Sequence, residues 1–374
     1  MKRIWLILLF FAFLALPVAA ESSEEFYNQQ LKASGAEELF SLLPEETRAF
    51  LRAIGIEGFD PDSYTALEPQ KLLQTLLEVF GNQTGSVTAT CGLLLGVILL
   101  GAIAESLKQT VKEGQTAEMF SLICSIAACG AVLLPVSACI QGVCEAADGV
   151  AVLMLSFVPA YAALILAGGQ ATLATSYSTV LLAGAQCVSA LLTGVAMPLL
   201  TISLGMTAAG ALSEKNRLGA LGGMMAKFSG WLLTTVTGVF TALMSMQSLV
   251  AASADSLGQR AAKMSLANFI PIVGGALSET FGTVTGCLRL LRSTLGMFGI
   301  LAAAALVLPS FFRCFTWSIA IGICRMAAEV CEVKPVVALL GAVQTVMKTL
   351  MGILAVCALF LIITTTVITL AGGM

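Results

Sequence analysis

The sequence predicts an all-α, polytopic membrane protein with a small extracytoplasmic helical region at its N-terminus. Three observations predict this class. Of the 374 residues, 58% are apolar and only 11% are charged, whereas soluble domains carry about 25% charged residues. The chain contains many apolar stretches of about 20 residues, which is the length that crosses a bilayer as a helix. Its first residues also have the pattern of a secretory signal.

Composition excludes several classes of function. The chain has no histidine, which removes the commonest general acid/base and metal-ligand side chain. Its eleven cysteines are scattered through apolar stretches, where cysteine behaves as a small hydrophobic residue. The sequence contains neither a G-x-x-x-x-G-K-[ST] phosphate loop nor a basic cluster interleaved with aromatic residues. We therefore expect no enzyme activity, no catalytic residue, no metal, no cofactor and no nucleic-acid partner.

The first 20 residues predict a signal peptide. The basic pair Lys2-Arg3 precedes an apolar run over 4–16, and small residues follow up to Ala20. This order of charged, apolar and small residues is that of a secretory signal. We expect residue 21 to emerge on the extracytoplasmic side.

Residues 21–86 predict an acidic helical region, which we call the headpiece, with 12 Asp/Glu and 4 Lys/Arg. Pro44, followed by two glutamates, suits the first turn of one helix, and Pro69 suits the start of another. The second helix carries an apolar stripe at helical spacing. The stripe consists of Leu72, Leu73, Leu76, Leu77 and Phe80. It packs the headpiece together, rests on the bilayer or binds a partner.

Residues 87–374 predict a bundle of about eight to ten transmembrane helices. The predicted spans are 87–104, 119–140, 150–168, 172–191, 194–212, 228–250, 267–288, 293–309, 310–328 and 349–371. The apolar segment 336–346 is too short to span, and we expect it to lie in the interface or to re-enter the membrane.

The distribution of basic residues predicts the orientation of the spans. With the headpiece outside, the connection 141–149, which has no Lys or Arg, also falls outside. Basic connections mark the cytoplasmic face. The candidate cytoplasmic anchoring residues are Lys215, Arg217, Arg289 and Arg292.

The segment 267–288 contains the most unusual candidate site. Pro271, Gly274 and Gly275 predict a break in the helix, and Glu279 follows in the same span. A broken helix often lines a cavity because its freed backbone groups need partners, and an intramembrane carboxylate usually faces water or a cation. Glu279 is therefore a candidate pore or ion-coupling residue. The alternative is a re-entrant or interfacial segment in which Glu279 contacts headgroups or water.

Three short motifs in 247–292 carry a family resemblance. They are AAK at 261–263, NFIPIVGG at 268–275 and LRLLR at 288–292. Together with the plan of signal peptide, exported region and polytopic body, they resemble the stage III sporulation protein AE family of endospore-forming bacteria. The similarity covers most of the membrane body, and no motif in 21–86 matches.

The resemblance implies a component of the secretion or feeding channel complex between mother cell and forespore. Such a protein would lie in the mother-cell membrane around the forespore and would be needed for late forespore development. Its partners would be the companion membrane subunits and the bilayer, with a homo-oligomer as a further option. The competing hypothesis is a stand-alone secondary transporter that uses Glu279 as its intramembrane carboxylate.

Overall fold

A computed structural model describes residues 23–110, 114–211, 218–239, 241–242 and 274–371. Every regular element in these ranges is helical, which confirms the all-α prediction. The predicted signal peptide at 1–20 lies outside the described residues.

The headpiece consists of short helices, and glycine or proline residues lie in the connections between them. Its elements are α1 Ser23–Ala33, a 3-10 turn Ala36–Glu38, α2 Leu39–Leu42, α3 Glu45–Ala53 and α4 Pro61–Thr65. Helix α3 begins directly after Pro44, as the sequence predicts. The Asp60 side chain caps α4 by accepting a hydrogen bond from the Asp62 backbone N–H at 3.3 Å, a preferred role for aspartate at this position.

Helix α5 connects the headpiece to the membrane body without interruption. It runs from Pro69 to Thr110, a length of 42 residues, so the predicted boundary between residues 86 and 87 falls inside a helix. Within its apolar stripe, Leu72 and Leu76 pack against the core. Leu73 and Leu77 are exposed.

Six further helices form the body within the described residues. They are α6 Gly114–Ala167, α7 Ala171–Leu191, α8 Met197–Ala211, α9 218–239, α10 Gly274–Val330 and α11 Lys334–Ala371, with α7 and α8 joined by a π-helical turn, Leu192–Ala196, into one rod.

Several predicted connections between spans are wrong. Residues 141–149 lie inside the 54-residue α6, and Pro309 lies inside the 57-residue α10. Glu145 and Asp148 lower the local hydropathy, but they stay helical and exposed. The predicted pairs of spans at 119–168 and 293–328 are therefore single helices. The break predicted after residue 191 is likewise the π-helical turn.

Helices α6 and α10 lie side by side and antiparallel. Towards the end of α6, the Tyr161 hydroxyl donates to the Arg292 carbonyl at 3.1 Å. Near the middle, the Ser310 hydroxyl donates to the Gly142 carbonyl at 3.0 Å. The apolar stretch of each helix is 46 residues long, which is about 69 Å at 1.5 Å per residue. This is roughly twice the ~30 Å hydrocarbon core of a bilayer.

The Gly142–Ser310 contact divides the bundle into two halves. The headpiece half extends from this contact towards the end of α6 at Ala167 and carries the headpiece. The far half extends from it to the turn between Val330 and Lys334. In the far half, the thiols of Cys91 and Cys324 join α5 to α10 with an Sγ–Sγ distance of 3.5 Å.

The interior of the described bundle is packed. A cavity between α6, α7 and α11, lined by residues such as Met154, Leu192 and Phe360, has a volume of about 10 Å³. That volume holds no more than a single water molecule. The contact region of α6, α7 and α11 is therefore closely packed.

Within the described ranges, four helices are long and apolar enough to cross a membrane. They are Leu122–Ala167, Ser178–Gly210, Thr285–Val330 and Lys334–Thr365, and a shorter apolar helix covers Val87–Ile103. Exposed large apolar side chains are concentrated in the far half, on all of its outer helices. Examples are Leu99, Ile123, Leu134, Met224, Trp231 and Ile319. Because such a surface requires a hydrocarbon environment, the far half is the part that fits the bilayer.

Candidate functional site

The predicted helix break lies at the edge of the described residues. Pro271 lies outside them. Gly274 and Gly275 open α10, and Glu279 lies in its second turn, although the Glu279 side chain is outside the described part. From Gly274 onward the segment is regular helix, and a break before it, at Pro271, stays a prediction.

The predicted cytoplasmic anchors separate into three groups. Lys215 and Arg217 lie outside the described residues. Arg289 is exposed on α10, whereas Arg292, one turn later, is buried with 7% of its surface accessible. Both arginines lie in the headpiece half, next to the residues that the headpiece contacts. The headpiece and these two arginines therefore lie at the same end of the bundle, and the cytoplasmic location of Arg289 and Arg292 stays a prediction.

Arg292 closes the C-terminal end of α6. Its Nη2 donates to the carbonyls of Leu164 at 2.9 Å and Ile165 at 3.2 Å. These carbonyls belong to the last turn of the helix, where they also accept hydrogen bonds from the backbone N–H groups of Gly168 and Gln170. A cation at this end interacts favourably with the helix dipole. A Cβ at Gly168 would overlap the Arg292 guanidinium. Gly168 therefore has to be glycine for this arginine to reach the helix end.

The headpiece docks two turns from this arginine. The rings of Phe59 and Phe298 lie with their centroids 4.7 Å apart. The Tyr27 hydroxyl donates to the Phe59 carbonyl at 2.6 Å and shares a hydrogen bond with the Thr294 side chain on α10. Aromatic contacts of this kind add to the free energy gained from apolar burial. They fix the headpiece against the part of α10 that also carries Arg292.

Burial governs the ionisation of the headpiece tyrosines. It raises the pKa of Tyr27 above the usual value, and the nearby Asp60 carboxylate acts in the same direction, although the hydrogen bond from Thr294 opposes it. Burial also raises the pKa of Tyr64, whose hydroxyl donates to the Gly58 carbonyl at 2.8 Å. Both phenols therefore stay protonated where an exposed tyrosine would ionise.

The sequence predicted neither the docking of the headpiece on α10 nor the burial of Arg292 against the end of α6. The LRLLR motif drew attention to Arg292 as a surface charge, whereas its neighbours in space, Tyr161 and Gly168, lie more than 120 residues away in sequence. The available signal was the Gly168-Gly169 pair after a long apolar run, because glycine commonly ends a helix in the left-handed conformation. Gly169 has φ of 78°.

The far half carries a polar groove on its surface. The groove lies between α10 and α11 and has a volume of about 410 Å³. Inside it, Arg325 Nε contacts the Glu329 carboxylate at 3.0 Å, and Arg325 Nη1 donates to the Gln344 side-chain oxygen at 3.2 Å. The described residues contain no group of three or more His, Cys, Asp or Glu placed to hold a metal ion. The chemistry available here is recognition of charge and shape.

Comparisons with known proteins place these features in a family context. The model of the family described as stage III sporulation protein AE matches residues 62–372. A protein from Bacillus subtilis (strain 168), described as stage III sporulation protein AE, is 23% identical over 353 residues, which cover 94% of this chain and 85% of the relative. No solved structure gives a significant match.

Proposed function

Because the chain belongs to the stage III sporulation protein AE family, we propose that it is a membrane-embedded platform subunit of a sporulation complex. The complex is a secretion or feeding channel between mother cell and forespore, and it serves late forespore development. The observation that carries this proposal is the match over 62–372, which includes nearly all of the bundle.

The packing of the bundle supports a platform more than a self-contained conduit. The cavity between α6, α7 and α11 has a volume of only about 10 Å³, and a solute path needs a continuous opening. The headpiece half extends beyond the thickness of a bilayer and offers a rigid extracytoplasmic surface for companion subunits. A passage formed by the complex would then lie between subunits.

The proposal includes an orientation. The signal peptide at 1–20 places the acidic headpiece of 21–86 outside, and the helical body of 87–374 follows. The six described rods, α5, α6, α7–α8, α9, α10 and α11, each cross once, which brings the connection with Lys215 and Arg217 to the cytoplasm. By the resemblance, the membrane is that of the mother cell around the forespore.

The alternative is a stand-alone transporter, which would need the Glu279 carboxylate for its function. Ion coupling through this carboxylate would be abolished by Glu279→Gln, whereas a platform tolerates the change. Glu145, an exposed carboxylate in the middle of α6, provides the matched control, Glu145→Gln.

The test is affinity purification of the tagged protein in mild detergent from sporulating cells, with spore yield scored in parallel. We expect wild type and both glutamine variants to retain companion subunits and to form spores normally. Normal companion binding combined with loss of spores in Glu279→Gln alone would favour the transporter. Absence of companions from the wild type would refute the platform.

A further inference from the structure

Two lysines lie on the exposed surface of the far half at the same depth. Lys227 on α9 and Lys348 on α11 are both exposed. Their neighbours in sequence touch, since the Thr349 hydroxyl donates to the Ala226 carbonyl at 3.5 Å. This contact brings the two charged residues to one level of the bundle.

The lysines also share one face. Helices α9 and α11 run in the same direction, and Thr349 lies against both Ala226 and Gly230. Each residue of an α-helix turns by about 100°. Lys227 follows Ala226 and Lys348 precedes Thr349, so both turn to the same side of the α9–α11 contact.

This level lies inside the apolar band of the far half. Exposed Phe228 and Trp231 flank Lys227 on α9, and Lys348 lies within the candidate span Lys334–Thr365. Charged side chains at membrane depth are costly and rarely face lipid. The backbone geometry opposes extension of the two lysine side chains towards the nearer interface, on the headpiece side. Cα–Cβ bonds tilt towards the N-terminus of a helix, and the N-termini of α9 and α11 lie at the opposite end of the far half.

The groove between α10 and α11 lies on the same side of the bundle as Lys227 and Lys348. Arg325 packs against Gly341, two turns before Lys348 on α11. Its ion pair with Glu329 is half-exposed, with side-chain exposures of 40% and 48%. The groove therefore combines apolar walls with cations along one edge. We call Lys227, Arg325 and Lys348 together the basic face.

The positive charge of the basic face favours an occupant that carries negative charge. Among the described side chains of the far half, Glu329 already pairs with Arg325 and the exposed Glu332 lies in the turn at the far end, whereas the exposed Glu145 and Asp148 lie in the headpiece half. A second copy of this chain therefore offers no described carboxylate at the matching depth. A transmembrane helix with aspartate or glutamate at the depth of the lysines would neutralise them, and its apolar side chains would fill the groove.

We propose that the basic face docks a transmembrane helix of a different subunit, one that carries one or two carboxylates at the depth of Lys227 and Lys348. This inference deepens the proposed function and rests on it, because it states the chemistry of one companion. Removing the lysine charges would leave the partner's carboxylates unpaired in the membrane, which is strongly unfavourable.

The first test is the double substitution Lys227→Leu with Lys348→Leu in sporulating cells. We expect at least a tenfold loss of spores and of the co-purified companion, while the protein itself keeps or gains thermal stability in detergent because leucine suits an apolar surface. The charge-conserving Lys227→Arg with Lys348→Arg should retain function. Lys334→Leu, at the start of α11, is the control for losing a lysine. Normal spore yield in the double leucine variant would overturn the inference.

The second test identifies the occupant by photo-crosslinking in sporulating cells. p-Benzoylphenylalanine replaces Trp231 on the basic face or, as a control, the exposed Leu134 on α6. We expect position 231 alone to crosslink to a different protein, through a transmembrane peptide that contains Asp or Glu. Crosslinks from 231 only to lipid, or to a second copy of this chain, would refute the inference. The proposed function fails separately, if the wild type itself purifies without companions.

Discussion

The two halves of the bundle are built from the same helices and differ mainly in their surfaces. In the headpiece half, exposed positions on α6 and α7 include Glu145, Asp148, Thr175 and Thr179. In the far half, the corresponding positions are mostly large and apolar, as at Leu134. The headpiece half also exposes apolar side chains such as Val152 and Leu155, so the difference is one of degree and favours the far half as the part in contact with hydrocarbon.

The halves also differ in the contacts that join their helices. The headpiece half contains a buried cation, Arg292, and an aromatic docking site around Phe59. The far half relies on close approach, as where the Ser203 hydroxyl reaches the Gly222 carbonyl at 2.5 Å. Small residues allow such approach between membrane helices. Substitutions should therefore act through lost polar and aromatic contacts in one half and through overpacking in the other.

The largest expected effect comes from Arg292→Met. Loss of the guanidinium removes two charge-assisted hydrogen bonds to the end of α6, which together are worth about 3–5 kcal/mol. The control is Arg289→Met, because Arg289 is exposed one turn earlier and should matter by less than about 0.5 kcal/mol. Thermal unfolding in detergent, followed by size-exclusion chromatography, measures both. Equal stability of the two variants would show that the buried arginine does not hold the headpiece half together.

Phe59→Ala should release the headpiece at a cost of about 3 kcal/mol. Phe59 is 7% exposed and packs against Phe298, so its removal leaves a cavity at the docking site. We expect limited proteolysis to cut the headpiece faster while the bundle remains intact. Leu42→Ala is the control, since Leu42 is 46% exposed and its truncation should leave proteolysis unchanged. Slow cleavage of the Phe59 variant would contradict docking through this ring.

Much of the fold could be predicted from the sequence. Helical class, membrane association and the start of α3 at Pro44 follow from composition, apolar runs and proline placement. The predicted connections inside α6 and α10 are wrong because a local minimum of hydropathy can arise in two ways. It can mark a turn, or it can mark a part of a continuous helix that faces a different solvent. At Glu145 and Asp148 the polarity has a different cause, since the helix continues out of the bilayer and these positions face water.

The docking site was less predictable than the helices. Arg292 has the charge expected of a surface anchor, and its burial depends on the α6–α10 register, which no local pattern encodes. The same holds for Lys227 and Lys348, which lie 121 positions apart in sequence and come together only through the Ala226–Thr349 contact. Long-range pairing determines both sites, and sequence periodicity reports only local structure.

The far half should respond most to added volume at Gly222. A Cβ there would lie 2.6 Å from the Ser203 backbone oxygen, which cannot move without shifting α8, so Gly222→Ala should cost about 1–3 kcal/mol. The neighbouring Gly223 has open space around it, and Gly223→Ala should stabilise the helix by up to about 1 kcal/mol. Thermal unfolding of the two single variants checks the sign of each effect. Stabilisation by both would mean that α8 and α9 are not in close contact.

The smallest effect concerns pH and is confined to the headpiece half. Burial raises the pKa of Tyr27 and Tyr64 above the ordinary value near 10, so the docked headpiece holds phenolic protons more tightly than the undocked one. Their contribution to docking is fully present below about pH 10 and is lost as the pH rises through the raised pKa values, because the undocked state then binds fewer protons.

We therefore expect proteolysis of the headpiece to accelerate between about pH 10 and pH 11, with phenolate absorbance at 295 nm rising in parallel. Tyr64→Phe cannot ionise at that position, and although it gives up the hydrogen bond to the Gly58 carbonyl, its release should depend less steeply on pH. The far-half contacts at Ser203 and Thr349 involve hydroxyls that do not titrate in this range, so the bundle should keep its thermal stability. Simultaneous loss of headpiece and bundle at the same pH would show that the headpiece and the bundle unfold as one unit.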